Sequence, residues 1–286
     1  MIRRRIRHRT VYRYAKSVAQ SHHYGCLEPR ADAGQLLLDF RLEIAPKPGT
    51  LTRFADYFGN RALYLEIPQR HRRFSVEACS LVETAVPTAP LDPGPGWEEA
   101  AALTRTQPLL MEFALPSPLV PALPEARALG EDCFPPGRPL LTAVAVLNRK
   151  IHRMFRYDPD ATEVSTPLAE VIRDRHGVCQ DFAHLMLAAL RARGLAARYV
   201  SGYLETGSGP RLQGADASHA WISVHCPGQG WIDADPTNEL LPADRHVTLG
   251  WARDFADVSP LKGVILGGGA HTVEVVVDVE QIPSGS

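Results

Sequence analysis

Residues 179–193 form a helical run with almost no polar face: positions 182, 183 and 185–190 are all apolar. A helix that is apolar on every side has to be enclosed by other elements, so this chain must build layers around it. Gly194 ends the run, with Arg191 and Arg193 in the last turn, where the helix dipole favours cations. A thiol, Cys179, opens it. A cysteine at a buried helix N-terminus meets the positive end of the dipole and unpaired backbone N–H groups. Both favour thiolate, and the N–H groups can hold an oxyanion. Gly177 permits a tight turn and close substrate approach just before the thiol, and Asp181 suits the helix start.

The neighbouring segments supply partners. Thr166 as N-cap, Pro167 at the first helical position and the spacing of Leu168, Val171 and Ile172 predict a helix to Arg173. Strands are expected at 197–205, 219–225 and 231–235, with a Gly-rich surface loop over 206–217. His219 and Asp235 are an even number of residues apart, with Pro227 midway. An antiparallel hairpin turning at Cys226-Pro227-Gly228 sets them directly opposite each other. Residues 219, 221, 223, 231, 233 and 235 then share a polar face, and Ile222, Val224, Ile232 and Ala234 an apolar one.

Cys179, His219 and Asp235 thus follow in the order nucleophile, base, orienter. His219 takes the thiol proton or holds an ion pair with the thiolate, Cys179 attacks an amide carbonyl, and His219 protonates the departing amine. Asp235 fixes the imidazole tautomer, with Asp233 on the same face as the runner-up. His176, Cys179 and His184, or His225 with Cys226, match no trusted metal spacing, so no metal and no cofactor are expected. Gly267-Gly268-Gly269 lacks the lysine of a phosphate loop and reads as a turn before a last strand at 272–279.

Short β-rich runs at 11–14, 35–44, 51–58, 62–67 and 74–82 predict an all-β, sandwich-like N-terminal domain over residues 1–86. Residues 87–96, rich in Pro and Gly, read as a linker, and 97–286 as a helical segment plus catalytic core, with 140–155 its longest helix before Cys179. The arginines at 3, 4, 5, 7 and 9, set among Ile2, Ile6 and Val11, suggest an edge strand guarded by charge. A net charge of −1 argues against nucleic-acid or membrane binding through bulk charge, and 45 % apolar residues suffice for a core. Five cysteines without a Cys-x-x-Cys pair, and no signal-like segment after the arginines, point to reduced thiols in the cytoplasm.

Gly177-Val-Cys-Gln-Asp-Phe-Ala-His184, Arg198-Tyr-Val-Ser-Gly-Tyr203, Ser218-His-Ala-Trp221 and Trp231-Ile-Asp-Ala-Asp-Pro-Thr-Asn238 resemble the transglutaminase-like superfamily of cysteine acyl-transferases and proteases. Arg253-Asp-Phe-Ala-Asp-Val258 and Asp56-Tyr-Phe-Gly-Asn60 extend the likeness to its bacterial members with an N-terminal β-domain. The resemblance implies an α+β fold, with a papain-like core in which the buried cysteine helix packs on an antiparallel sheet. It assigns Cys179, His219 and Asp235 the roles above. Animal transglutaminases use an upstream tryptophan as a second oxyanion donor. Here Trp97 stands beside the linker, so Tyr157 and Gln180 are the candidates to replace it, with Trp221 a candidate core or cleft wall. The expected activity is hydrolysis of a peptide or isopeptide-like amide through a thioester. The alternatives are transglutamination onto an amine and a non-catalytic binding module. Oligomeric state stays open.

Overall fold

The computed structural model describes residues 1–32, 34–85, 92–159, 162, 166–205, 212–215, 217–241 and 245–283. Its longest strand is the first. β1 (Ile2–Gly25) spans 24 residues and joins β2 (Gln35–Ala45), β3 (Thr50–Ala55), β4 (Arg61–Ile67) and β5 (His71–Thr84) in an antiparallel sheet, with β4 and β5 end to end along one side of β1, β3 pairing with β4 and β2 with β5. Its first half pairs with β5 and its last residues with β4, the register shifting between Arg13 and Val18. Leu63, Leu65 and Ile67 of β4 and Phe74, Val76 and Ala78 of β5 share one apolar core with Tyr14 and Val18.

The arginine-studded start is therefore a central strand, not the edge strand expected. Alternation turns Ile6, His8 and Thr10 inward and Arg5, Arg7 and Arg9 outward. Cross-strand carboxylates answer the outward charge: Arg3 pairs with Glu83 at 2.5 Å and Arg7 with Glu77 at 2.7 Å. Arg4 points inward, where its Nε donates to Glu205 at 2.7 Å.

The second half begins with α1 (Trp97–Thr106), α2 (Pro108–Met111), α3 (Pro124–Leu129) and α4 (Leu140–Met154), with Pro108 and Pro124 opening α2 and α3. Next come β6 (Arg156–Tyr157), α5 (Leu168–Asp174), β7 (His176–Gly177) and α6 (Cys179–Arg191). Pro167 rather than Thr166 precedes α5, without a side-chain cap. β8 (Ala197–Leu204), β9 (His219–Cys226), β10 (Gly230–Ala234) and β11 (His246–Ala252) form a sheet ordered β10-β9-β8-β11, followed by α7 (Phe255–Val258). α6 is enclosed as its composition demands: every residue from Asp181 to Arg191 is buried. Tyr199, Ala220, Ile222 and Val224 of the sheet and Leu147 and Ile151 of α4 share its core. This is the expected α+β architecture, a cysteine-bearing helix against an antiparallel sheet after an N-terminal β-region.

The chain then returns to its start. β12 (Lys262–Gly267) and β13 (His271–Ile282) both pair antiparallel with β1, on the side away from β4 and β5. Residues 262–282 thus belong with the first sheet, which corrects the expected grouping of all of 97–286 with the core. The reason is physical: β4 and β5 satisfy one side of β1, and its other row of N–H and C=O groups needs a partner. Gly267, Gly268 and Gly269, all at positive φ, make the expected turn between the two strands. Of the 87–96 stretch, 87–91 lies outside the described residues. Pro93 and Pro95 dock on the second half, accepting from the backbone N–H of Leu141 and Leu140 at 3.0 and 2.8 Å.

Polar groups join the two halves across their interface. Asn60, fully buried, accepts from Arg30 and the Trp251 N–H and donates to Asp56 and the Trp251 carbonyl. Gln35 pairs with the backbone of Thr248 in both directions at 2.8 Å. The guanidinium groups of Arg30 and Arg198 each lie 3.6 Å from the Trp251 ring centroid, a cation–π arrangement. Among the described residues no helix is long and apolar enough to cross a membrane.

Candidate active site

Cys179 is the first residue of α6 and is half-buried. Val178 precedes it in extended conformation and offers no side-chain cap to the first N–H groups of the helix. Asp181 secures the turn instead, accepting from the Val178 N–H at 2.9 Å and the Thr162 hydroxyl at 2.6 Å. Burial raises the Asp181 pKa against those two hydrogen bonds. Only glycine fits at 177, since a Cβ there would lie 2.7 Å from Asp181 Oδ2. Tyr157 pairs with Gly177 through β6 and β7 and meets Phe182 edge-on, placing it beside the turn into α6. Gln180 is half-buried next to the thiol.

His219 begins β9 and Asp235 directly follows β10. Their parity is as expected, but their register is not. Gly230 pairs with Cys226 and Ala234 with Ile222, so the loop is Pro227-Gly228-Gln229 and continuation of the ladder sets Asp235 across from Trp221. His219 and Asp235 are therefore diagonal neighbours on one face, a separation that long side chains span. His219 Nε2 donates to Asp235 Oδ2 at 2.9 Å, and both side chains are inaccessible to solvent. Nδ1 has no formed hydrogen bond, yet the ring also responds to the Cys179 thiol. Burial lowers the His219 pKa, but Asp235, through charge and hydrogen bond, and then Cys179 outweigh it and raise it to about 10. Burial raises that of Asp235, and the charge of His219 leads the opposing groups that bring it far below the usual carboxylate range.

Two further residues complete the group. His246, at the start of β11, places Nε2 3.0 Å from the same Asp235 oxygen. Asn238 donates its Nδ2 to Oδ2 at 2.9 Å, and the backbone N–H groups of Thr237 and Asn238 donate to Oδ1 at 2.9 and 3.2 Å. Asn238 also grips Gln213, accepting from its N–H at 2.8 Å and donating to its carbonyl at 3.3 Å. That grip lays Gly214, at φ +82°, over the imidazole. A Cβ on it would come within 2.6 Å of His219 Nδ1. Asn238 stood in a motif visible in the sequence, without a role; nothing in the sequence singled out His246.

Other expectations resolve differently. Trp221 is fully buried, so it lines no open cleft. Its ring stacks on His219 with centroids 6.1 Å apart, and its Nε1 donates to Asp233 at 3.1 Å. Asp233, the runner-up orienter, is committed to that indole and to the Ser223 hydroxyl. His184 accepts from the Phe255 N–H at 3.3 Å from within α6, which removes its Nε2 from any grouping with Cys179. Among the described residues, His219, Asp235 and His246 have metal-ligand spacing. Their facing atoms are spent on each other, with Oδ2 accepting from both imidazoles, so hydrogen bonding accounts for the cluster.

Comparison with known proteins fits this geometry. Residues 4–83 match the family described as Bacterial transglutaminase-like N-terminal region, and residues 128–236 match the Transglutaminase-like superfamily. The chain belongs to the transglutaminase-like superfamily. An uncharacterised protein of Mycobacterium tuberculosis is 39 % identical over 97 % of this chain and 92 % of its own length. A protein-glutamine gamma-glutamyltransferase of Pseudomonas aeruginosa is 33 % identical over 42 % of this chain and 19 % of its own. The crystal structure of a candidate cysteine protease from Cytophaga hutchinsonii covers 100 % of this chain and 92 % of its own. Its TM-score is 0.76 at 21 % identity, a likeness of fold. Members of this superfamily are cysteine enzymes acting on protein or peptide substrates.

Proposed function

We propose that this protein is a cysteine hydrolase that cleaves a peptide or isopeptide-like amide through an acyl-thioester on Cys179. One observation carries the reading. Asp235 holds Nε2 of His219, which leaves Nδ1, the nitrogen without a formed hydrogen bond, to serve the thiol at the start of α6. Nδ1 takes the thiol proton ahead of the reaction, and in the resulting thiolate–imidazolium pair the sulfur attacks the carbonyl carbon. The oxyanion settles on the N–H groups at the head of α6, with Gln180 and Tyr157 beside it. Collapse breaks the C–N bond, and Nδ1–H protonates the departing amine. Water, activated by the same nitrogen, then releases the acid and restores the thiol.

Water is the default acceptor of a thioester, because a transferase must exclude it. The likeness to the Pseudomonas aeruginosa gamma-glutamyltransferase supports a second reading, in which an amine takes the acyl group. The five free cysteines accord with a cytoplasmic location, which cell fractionation tests. Product partition decides between the acceptors. With a glutaminyl peptide and added primary amine, the hydrolase reading expects ammonia release with the free acid as the main product. Predominant amide formation overturns it in favour of transfer.

A further inference from the structure

The proposed reaction uses one histidine, yet two converge on Asp235. We infer that His246 is a positioning residue, a second imidazole that holds Asp235 Oδ2 from the far side and tempers the grip of that carboxylate on His219. The inference rests on the proposed role of the Cys179–His219 pair.

A carboxylate only accepts, so both Nε2 atoms must donate: His219 at 2.9 Å and His246 at 3.0 Å, onto one oxygen. His246 is then the Nε2–H tautomer when neutral, and its buried Nδ1, which has no hydrogen-bond partner, carries the lone pair. Burial lowers its pKa, ahead of the raising effect of Asp235, so it donates as a neutral ring. The charged and titratable groups acting on it are Asp235, His219 and Asp233. The ring is wedged edge-on to Trp221, centroids 4.8 Å apart, and edge-on to His219 at 5.9 Å. These contacts pack the ring with its Nε2 turned to Asp235.

Two consequences follow for the reaction. The Asp235 plane is fixed independently of His219, so the carboxylate keeps its aim while His219 gains and loses a proton. Sharing Oδ2 also weakens the ion pair that forms when His219 is charged. An imidazolium held too tightly is a poor acid toward a departing amine; His246 keeps it competent.

Two substitutions separate this role from packing. His246→Gln retains an N–H donor near the Nε2 position but loses the ring. His246→Phe retains the ring against Trp221 but loses the donor. The His219 midpoint is read from its Cε1–H signal by NMR between pH 7 and 11, and turnover is read with a peptide p-nitroanilide. His246→Gln should leave both near wild type. His246→Phe should raise the midpoint by roughly one unit, a tenfold gain in proton affinity, and lower kcat about tenfold with KM little changed. A wild-type midpoint in His246→Phe overturns the inference, as does a loss in both variants without a midpoint shift, which marks a packing role. If His246→Phe does not fold, impairment of folded His246→Gln still overturns it. The titration does not need turnover, so it stands apart from the proposed reaction, which fails on its own if Cys179→Ala keeps activity.

Discussion

Replacing Asp235 with asparagine preserves shape but removes the negative charge beside His219 and turns one acceptor oxygen into an NH2 donor. Asp235 takes five donors: His219, His246 and the Asn238 side chain on Oδ2, and the N–H groups of Thr237 and Asn238 on Oδ1. An amide offers one oxygen and one NH2 group. The two backbone donors claim the oxygen, so the NH2 group faces the other three. His219 can meet it only by presenting a lone pair at Nε2, which moves the ring proton to Nδ1. The nitrogen that the proposed reaction assigns to the thiol then has no lone pair to accept its proton. Loss of a triad carboxylate by this tautomer effect costs on the order of 10⁴ in kcat, or about 5 kcal/mol of transition-state stabilisation. We expect roughly 10³ to 10⁴ for Asp235→Asn, with about 1–3 kcal/mol lost in stability from unsatisfied buried donors. Turnover of a peptide p-nitroanilide measures the first, and denaturant unfolding the second. Activity within threefold of wild type in a folded Asp235→Asn protein would refute the reasoning.

Two other outcomes test the frame around the site. Asn60→Ala removes the fully buried amide that engages Arg30, Asp56 and both backbone groups of Trp251, and should cost about 2–4 kcal/mol; a urea midpoint within error of wild type would contradict it. Burial lowers the pKa of His8, His23 and His184 from 6.5 to about 4. A depressed folded pKa gives stability that is present above 6.5 and is lost as pH falls toward 4, because the unfolded chain binds protons there and the folded one does not. Each accounts for a loss of up to about 3 kcal/mol by pH 4, so Tm should drop steeply from pH 6.5 to 4. A flat Tm over that window would show that these histidines are not buried as neutral rings.

What could be read from the sequence follows a physical line. The all-round apolar character of α6 forces enclosure whatever surrounds it, and Cys179 at its head needs no tertiary information. The hairpin parity of His219 and Asp235 also survives, because a slip of two residues leaves the same side chains on the same face. Register is a finer matter: Gly228 and Gly230 both adopt positive φ, so composition allows the turn in more than one place, and the structure sets it at 227–229. His246 was invisible because its contact with Asp235 depends on where β11 lies beside β8. β13 reads as a strand in isolation, but its pairing with β1 across more than 250 residues leaves no local trace. The same pairing turned an apparent edge strand into a central one. Trp221 shared the polar parity of the hairpin and was enclosed by His246, His219 and Asp233.

The central claim is that Cys179 carries the acyl group. Acid-quenching the protein during turnover of a glutaminyl peptide, then mapping the modified peptide by mass spectrometry, tests it directly. The account predicts a hydroxylamine-labile acyl adduct on Cys179, absent from Cys179→Ala and strongly reduced in His219→Ala. An adduct on Cys26, Cys79, Cys133 or Cys226 instead, or continued turnover by Cys179→Ala, would contradict it.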